Sequence, residues 1–467
     1  MQEVSSTTQG ATTLEMIGQW LVRAAQIVLW IIFMSIDAYL LIPGIIIRYL
    51  SRVKSHSQLD RRRPPKTVVI VGGSFSGLVA LRELQNNPLF RVILIDQRDY
   101  FEYTPGILRL LVEPEHARKI CHPLPHGSHT VLQGKVTSTS NATVTYVDSS
   151  KKNKTIKFDY LILATGTTYQ YPVSASHDEY TLHGRMAGWH VQAKKVEDAS
   201  SILILGGGAV GTELAAEIVC HYGSTKSITV VDAADRLVPL FPKSVSDYAQ
   251  QWLQSRGVHL KLGQKLQSWN NKSCTLEDGH QTLTADIVFA CLTAKANSNP
   301  MVAKMPFTNG TTVSPVKLDR SKRIIVDSFL RVEERRNVFC CGDVAAPPTE
   351  GHLKQAFHAE VTGHVAAENI MRLANGRRFM RYPEDAAMGS HQMPLVYVLS
   401  LGKWDGVIGF NSLTVPGPVA ALMKWIIEFT KVRQMLNRPV GLLVWVIGDW
   451  ACFLLSSTIV KPLHKKV

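Results

Sequence analysis

No C-x-x-C pair occurs in the 467 residues, and the seven cysteines are scattered: Cys121, Cys220, Cys274, Cys291, Cys340, Cys341 and Cys452. That leaves no signal for a dithiol redox centre or a zinc clamp. An odd, dispersed set fits thiols used as small apolar groups in a reducing compartment. Acidic residues are also scarce: 37 Asp and Glu face 51 Lys and Arg, for a formal charge of +14 and a pI near 9.4. Such a balance favours anionic partners, whether phospholipid, nucleotide phosphate or nucleic acid. The excess is spread along the chain, with clusters at Arg61-Arg62-Arg63 and His464-Lys465-Lys466. A basic surface near a membrane is therefore favoured over a nucleic-acid site. Low-complexity tracts and repeat registers are missing too, and a 45% hydrophobic content marks a folded chain of two or three domains.

What is present begins with an apolar run from Ile27 to Ile47, interrupted by Ser35, Asp37 and the Pro43-Gly44 pair. Its 21 residues match the hydrocarbon thickness at helical rise. No small-residue cleavage site follows, so it reads as an anchor rather than a removable signal. Asp37 is costly in lipid, which leaves two readings open: a straight span, or an interfacial insertion broken at Pro43-Gly44. Arg48, Arg52, Lys54, Arg61, Arg62, Arg63 and Lys66 follow it, against Arg23 before it. If the segment spans, that bias keeps the next domain cytosolic. The sequons at Asn141, Asn153, Asn271 and Asn309 are then expected to stay unmodified.

From Lys66 the pattern is strand, glycine turn, helix, strand, and it recurs from Ser201. The first turn, Gly72-Gly73-Ser74-Phe75-Ser76-Gly77, departs from G-x-G-x-x-G at Ser74. Asp96 ends the next strand 19 residues after Gly77, where a carboxylate accepts ribose hydroxyls. The second turn keeps all three glycines, Gly206, Gly208 and Gly211, and opens a helix whose free amides suit pyrophosphate. Asp232 stands 21 residues after Gly211. It favours the free 2′-hydroxyl of NADH, while Arg236 leaves NADPH possible.

Two further strand ends complete the pattern: Leu161-Ile162-Leu163-Ala164-Thr165-Gly166, and Asn337-Val338-Phe339-Cys340-Cys341-Gly342-Asp343. In this order around a second Rossmann unit they resemble the two-dinucleotide-binding flavoproteins. That resemblance implies FAD at the first turn and NAD(P)H at the second. It gives Gly72, Gly73, Ser74, Gly77, Asp96, Thr165, Gly166 and Asp343 to the flavin nucleotide, with Asp343 on the ribityl chain. Gly206, Gly208, Gly211 and Asp232 go to the nicotinamide nucleotide.

A narrower resemblance rests on Asp96 through Gly106, on Ser400-Leu401-Gly402-Lys403-Trp404-Asp405-Gly406-Val407 and on Phe429-Thr430-Lys431-Val432-Arg433. These are similar to type II NADH dehydrogenases and the apoptosis-inducing-factor-like group, and most to its ferroptosis-suppressor branch, which reduces ubiquinone and similar quinones. By that resemblance Glu213 and Lys431 are the catalytic residues beside the flavin. The branch can carry an acyl anchor on a glycine after the initiator; here Met1-Gln2 offers none, and the apolar segment is expected to anchor instead.

The fold expected is α/β, with two Rossmann-like dinucleotide-binding domains, an N-terminal membrane helix and a C-terminal membrane-associated region. The boundaries are residues 1–65 for anchor and linker, 66–197 and 323–393 for the FAD domain, 198–322 for the NAD(P)H domain, and 394–467 for the quinone and membrane region. Leu422, Trp425, Ile426 and Phe429 recur at helical spacing with Lys424, Glu428 and Lys431 opposite. Lys431 on such a helix is either a cation at the flavin or a lysine snorkelling to solvent. Gly441–Val460 is a second apolar stretch, either a short span, an interfacial helix or an oligomer contact. The partners expected are NAD(P)H, a quinone and membrane lipid, with no metal. A reductase of a soluble acceptor and a nucleotide-sensing or nucleic-acid-binding effector are the rival functions.

Overall fold

The structure, a computed structural model, describes residues 13–58, 64–277, 281–299, 316–349, 354–387 and 390–458. The basic clusters Arg61-Arg62-Arg63 and His464-Lys465-Lys466, and Asn309, lie outside the described residues.

Helix α1 (Thr13–Gln58) runs unbroken through Pro43-Gly44. Its long apolar stretch, Met16–Leu40, starts eleven residues before the run picked out by sequence. The break considered at Pro43-Gly44 does not occur. β1 (Lys66–Val71), α2 (Phe75–Leu84) and β2 (Phe90–Asp96) then form the first strand–turn–helix–strand unit. Every residue of β1 from Val68 to Val71 is buried, as expected of a strand covered on both faces. β3 (Thr130–Thr139), β4 (Thr143–Asp148) and β5 (Asn153–Lys157) extend the sheet as an antiparallel meander, and β6 (Tyr160–Leu163) returns parallel to β1.

Helix α3 (Leu182–Asp198) leads to the second unit: β7 (Ser201–Leu205), α4 (Ala209–Tyr222), β8 (Ser227–Val231), α5 (Lys243–Gln254), β9 (His259–Lys261) and β10 (Ile287–Ala290). These make a parallel four-stranded sheet ordered β9-β8-β7-β10. The chain then goes back to the first sheet. β11 (Val338–Cys340) pairs with β6 and completes seven strands in the order β11-β6-β1-β2-β3-β4-β5. α6 (Ala356–Ala374) packs on α2, where Gly363 is pressed against the backbone of Ser76 and any side chain would collide.

The last part is a three-stranded antiparallel sheet, β12 (Val396–Leu401), β13 (Asp405–Phe410) and β14 (Leu413–Pro416), followed by α7 (Pro418–Met435) and α8 (Pro439–Thr458). α7 and α8 meet at a bend of 116°. α1 docks on both. Gly18 lies against Pro418, Phe33 stacks on Phe429 at 5.7 Å, and Asp37 reaches Arg433 at 3.3 Å, so α1 and α7 run parallel. The N-terminal helix and the C-terminal helices, far apart in sequence, are one packed layer.

Candidate active site

The two glycine turns are built alike, and each rests on the same carboxylate contact. Gly72 and Gly206 open them at φ +112° and +109°, values that strain any side chain. A Cβ at Gly72 would strike the Ala164 carbonyl, and one at Gly206 the Cys291 carbonyl. Gly77 and Gly211 press against the carbonyls of Gly72 and Gly206, which fixes helix against strand. Asp96 takes the Gly73 N–H at 2.6 Å and the Arg98 N–H at 2.8 Å. Asp232 takes the Gly207 N–H at 2.5 Å and the Ala234 N–H at 2.7 Å. Both acids therefore brace their turns from the strand end, a task the ribose reading had not assigned them. A carboxylate has about four acceptor sites, so two remain for a ribose.

Ser74 is the residue before α2, extended and with no hydrogen bond from its side chain into the helix start. Gly208 holds the matching place before α4, and a Cβ there would meet open space. Serine in place of glycine thus clashes with nothing in the fold. Arg236 donates to the Pro239 carbonyl at 2.8 Å, and its Nη1 is buried without a partner.

The strand ends at Thr165-Gly166 and Gly342-Asp343 lie together at the carboxyl edge of the first sheet, since β6 pairs with β11. Asn297, which the sequence did not single out, ties Thr165 to the second unit. Its carbonyl accepts Thr165 Oγ1 at 2.8 Å, and its Nδ2 donates to the Thr165 carbonyl at 2.9 Å. Asp343 has a long contact from Thr167 Oγ1 at 3.4 Å, and burial pushes its carboxyl above the usual range. Lys354 binds the Asp343 carbonyl, and Gln355, at the start of α6, carries a buried Oε1 with no partner. Open space beside Gly166, a weakly held carboxyl and an orphaned amide oxygen fit a flavin nucleotide lying along this edge.

Behind that edge the polar side of α7 is buried. Glu428, Lys431 and Gln434 are buried at 9%, 4% and 5% exposure, while Leu422, Trp425, Ile426 and Phe429 on the other side are only half-buried. Lys431 does not snorkel. Its Nζ meets Glu360 Oε2 of α6 at 2.7 Å and Gln434 Oε1 at 2.8 Å, and it lies 3.2 Å from the centroid of the Trp445 ring. Glu213 sits in the second turn of α4. It accepts the Ser400 N–H at 2.7 Å and Lys424 Nζ at 3.2 Å, joining α4 to β12 and α7.

Glu428 takes His116 Nε2 at 2.9 Å, and this partner holds its carboxyl below the usual range against the opposing effect of burial. It also fills the space beside Gly106, where a side chain would run into it. Tyr103, buried beside Gly106, feels the charges of this group. Burial raises its hydroxyl well above the ordinary value, and the charges of Glu428, Glu360 and Glu213 add to the rise. The structure thus groups Glu213 and Lys431 with Tyr103, His116, Glu360 and Glu428. None of these four was assigned to the site by sequence, because their burial together depends on elements far apart in the chain. Among the described residues, no cluster of three His, Cys, Asp or Glu side chains is placed to hold a metal ion.

The family model for pyridine nucleotide-disulphide oxidoreductases matches residues 66–363. The chain belongs to that family. This pyridine nucleotide-disulphide oxidoreductase is 28% identical over 356 residues to ferroptosis suppressor protein 1 of Xenopus tropicalis, covering 74% of this chain and 88% of that one. Its fold is similar to the sulfide:quinone oxidoreductase of Aquifex aeolicus, with a TM-score of 0.66 at 17% identity over 85% of this chain and 96% of that chain. It is similar also to NDH2 of Plasmodium falciparum in complex with NADH, with a TM-score of 0.62 at 12% identity over 86% of this chain and 100% of that chain. It is an NAD(P)H-dependent flavin oxidoreductase whose cofactors are FAD and NAD(P)H. The disulphide of the family name has no counterpart at the Gly-Asp edge. Cys340 and Cys341 are free thiols, fully buried, and burial pushes Cys341 up to about 12.

Proposed function

We propose that this oxidoreductase takes a hydride from NADH onto FAD and passes the electrons to a quinone dissolved in a bilayer against which α1, α7 and α8 lie. The observation that carries this reading is the apolar layer at α7. The polar side of α7 is buried, its apolar side lies against α1, and the exposed apolar residues of α1 and α8 form the outer surface. Trp20, Ile27 and Trp30 of α1 and Val446, Ile447 and Trp450 of α8 are 72%, 61%, 49%, 70%, 57% and 58% exposed. A lone exposed apolar residue needs no explanation, but a layer of them does. Between α1 and α7 runs an open groove of about 440 Å³ lined by Arg23, Gln26, Ile27, Trp30 and Trp425, suited to a prenyl tail.

In this reading Gly72, Gly73, Ser74, Gly77, Asp96, Thr165, Gly166 and Asp343 hold FAD, and Gly206, Gly208, Gly211 and Asp232 hold NADH. Bound flavin supplies two-electron chemistry; the chain supplies alignment and electrostatics. Glu213, fixed by Ser400 and Lys424, orients the nicotinamide, and Lys431 offers positive charge where electrons arrive on the acceptor. If α1 spans the bilayer, the basic residues from Arg48 to Lys66 keep the redox units on the cytosolic side.

The test is NADH oxidation by the protein in lipid vesicles with either a long-tailed ubiquinone or ferricyanide as acceptor. The reading expects turnover with the quinone in the bilayer. Turnover with ferricyanide and none with the quinone contradicts it.

A further inference from the structure

Reduction of a quinone by NADH consumes one proton beyond the transferred hydride: NADH, a proton and the quinone give NAD and the hydroquinone. The hydride carries both electrons and one hydrogen. The second hydrogen comes from a group of the protein or from water, and a water-poor site needs a group that holds it.

Glu360 is suited to that task by placement. It lies in the first turns of α6, five residues after the orphaned Gln355, and is 6% exposed. One carboxylate oxygen meets Lys431 at 2.7 Å, and the other, Oε1, is buried without any partner. Leaving a buried carboxylate oxygen bare is costly unless something else occupies it. Tyr103, buried in the segment that follows β2, is within electrostatic range of Glu360, Glu428 of α7 and Glu213 of α4. On the other side, Asp449 of α8 is within electrostatic range of Lys431, Glu360, Arg82 and His364. His364 is half-exposed and bonded to Glu83 at 2.6 Å, a titratable group at the solvent side.

The geometry points to the Lys431–Glu360 pair as the store of the proton that completes acceptor reduction, with the bare Glu360 oxygen facing the acceptor. An N–H or O–H bond of the pair breaks, an O–H bond forms on the reduced acceptor, and the pair regains its proton from water by way of Asp449 and His364. This inference rests on the quinone reading above. It adds Glu360 to the working residues and makes Lys431 one half of a proton-holding pair.

The experiment uses flavin-loaded Glu360→Gln protein in detergent, followed by flavin absorbance without oxygen. Addition of NADH bleaches the variant within about 2-fold of the wild-type rate, because hydride arrival takes no proton from the pair. Reoxidation by a short-tailed ubiquinone analogue slows by roughly 100-fold, the range of a lost acid catalyst, and small weak acids such as imidazolium restore it with rising concentration. Reoxidation at the wild-type rate overturns the inference, as does slowing that no weak acid relieves. Should Glu360→Gln lose its flavin, Glu360→Asp takes its place. It keeps a titratable group and is expected to reoxidise within about 10-fold of wild type without added acid; slowing of roughly 100-fold overturns the inference. If wild type itself is bleached by NADH and not reoxidised by the quinone, the quinone reading falls first.

Discussion

Asp37 of α1 accepts the main-chain N–H of Val440 at 2.7 Å and so caps the start of α8 across the layer. The same carboxylate lies 3.3 Å from Arg433. An acid that looked like a penalty within an apolar run is thus the clasp that holds α1 to the α7–α8 corner. Replacing a capping carboxylate by alanine costs about 1–2 kcal/mol, and the lost ion pair adds to that. Asp37→Ala is expected to lower the denaturation midpoint in detergent, with Asp37→Asn, which keeps an acceptor, lowering it less. An unchanged midpoint in Asp37→Ala refutes the clasp.

The outward apolar layer predicts membrane binding that survives or fails independently of the redox core. Trp20 and Val446 are 72% and 70% exposed, so a charge at either leaves the folded protein untouched. Burying one such side chain in lipid is worth about 1.5–3 kcal/mol, and each 1.4 kcal/mol is tenfold in binding. Trp20→Glu and Val446→Glu should each weaken vesicle binding by roughly 10-fold or more in a flotation assay, with flavin content unchanged. Undiminished binding in the double variant rejects the layer as the membrane contact.

The twin turns make a paired prediction that separates the two nucleotides. Gly77→Val forces a side chain into the Gly72 carbonyl and is expected to yield protein without flavin. Gly211→Val does the same at Gly206 and should yield yellow protein whose flavin NADH no longer bleaches. Flavin loss in Gly211→Val with retention in Gly77→Val would exchange the assignments.

Arg185 is 1% exposed and is the hub of a buried cluster, meeting Glu102 at 2.8 Å and 3.0 Å and Glu179 at 2.8 Å. Removing the cation strands two buried carboxylates, which costs about 3–5 kcal/mol. Arg185→Met should therefore lower stability by that much in urea titration. A loss below about 1 kcal/mol would mean that the cluster is solvated on opening.

The parts that were legible in the sequence share a cause. Gly72, Gly77, Gly206 and Gly211 are each forced by backbone collision, and Asp96 and Asp232 end strands whose burial is plain from their apolar runs. Local rules of that kind leave local marks. The polar interior left none, because its partners come from four elements, with Lys431 and Glu360 separated by 71 residues. The polar stripe of α7 by itself left two readings of Lys431, a cation at the flavin or a lysine snorkelling to solvent. Only the apolar layer supplied by α1 and α8 gives the other side of α7 a better place to face. Asn297 and Asp37 escaped for the same reason, since each acts through a main-chain group far away in sequence.

The most direct measurement is the absorbance of the flavin in detergent-purified protein without oxygen, first with NADH and then with a ubiquinone analogue. The account predicts bleaching by NADH and rapid recovery of the oxidised spectrum on adding the quinone. Bleaching that the quinone leaves unchanged would contradict the acceptor assignment, and folded protein carrying no flavin would contradict the account at its root.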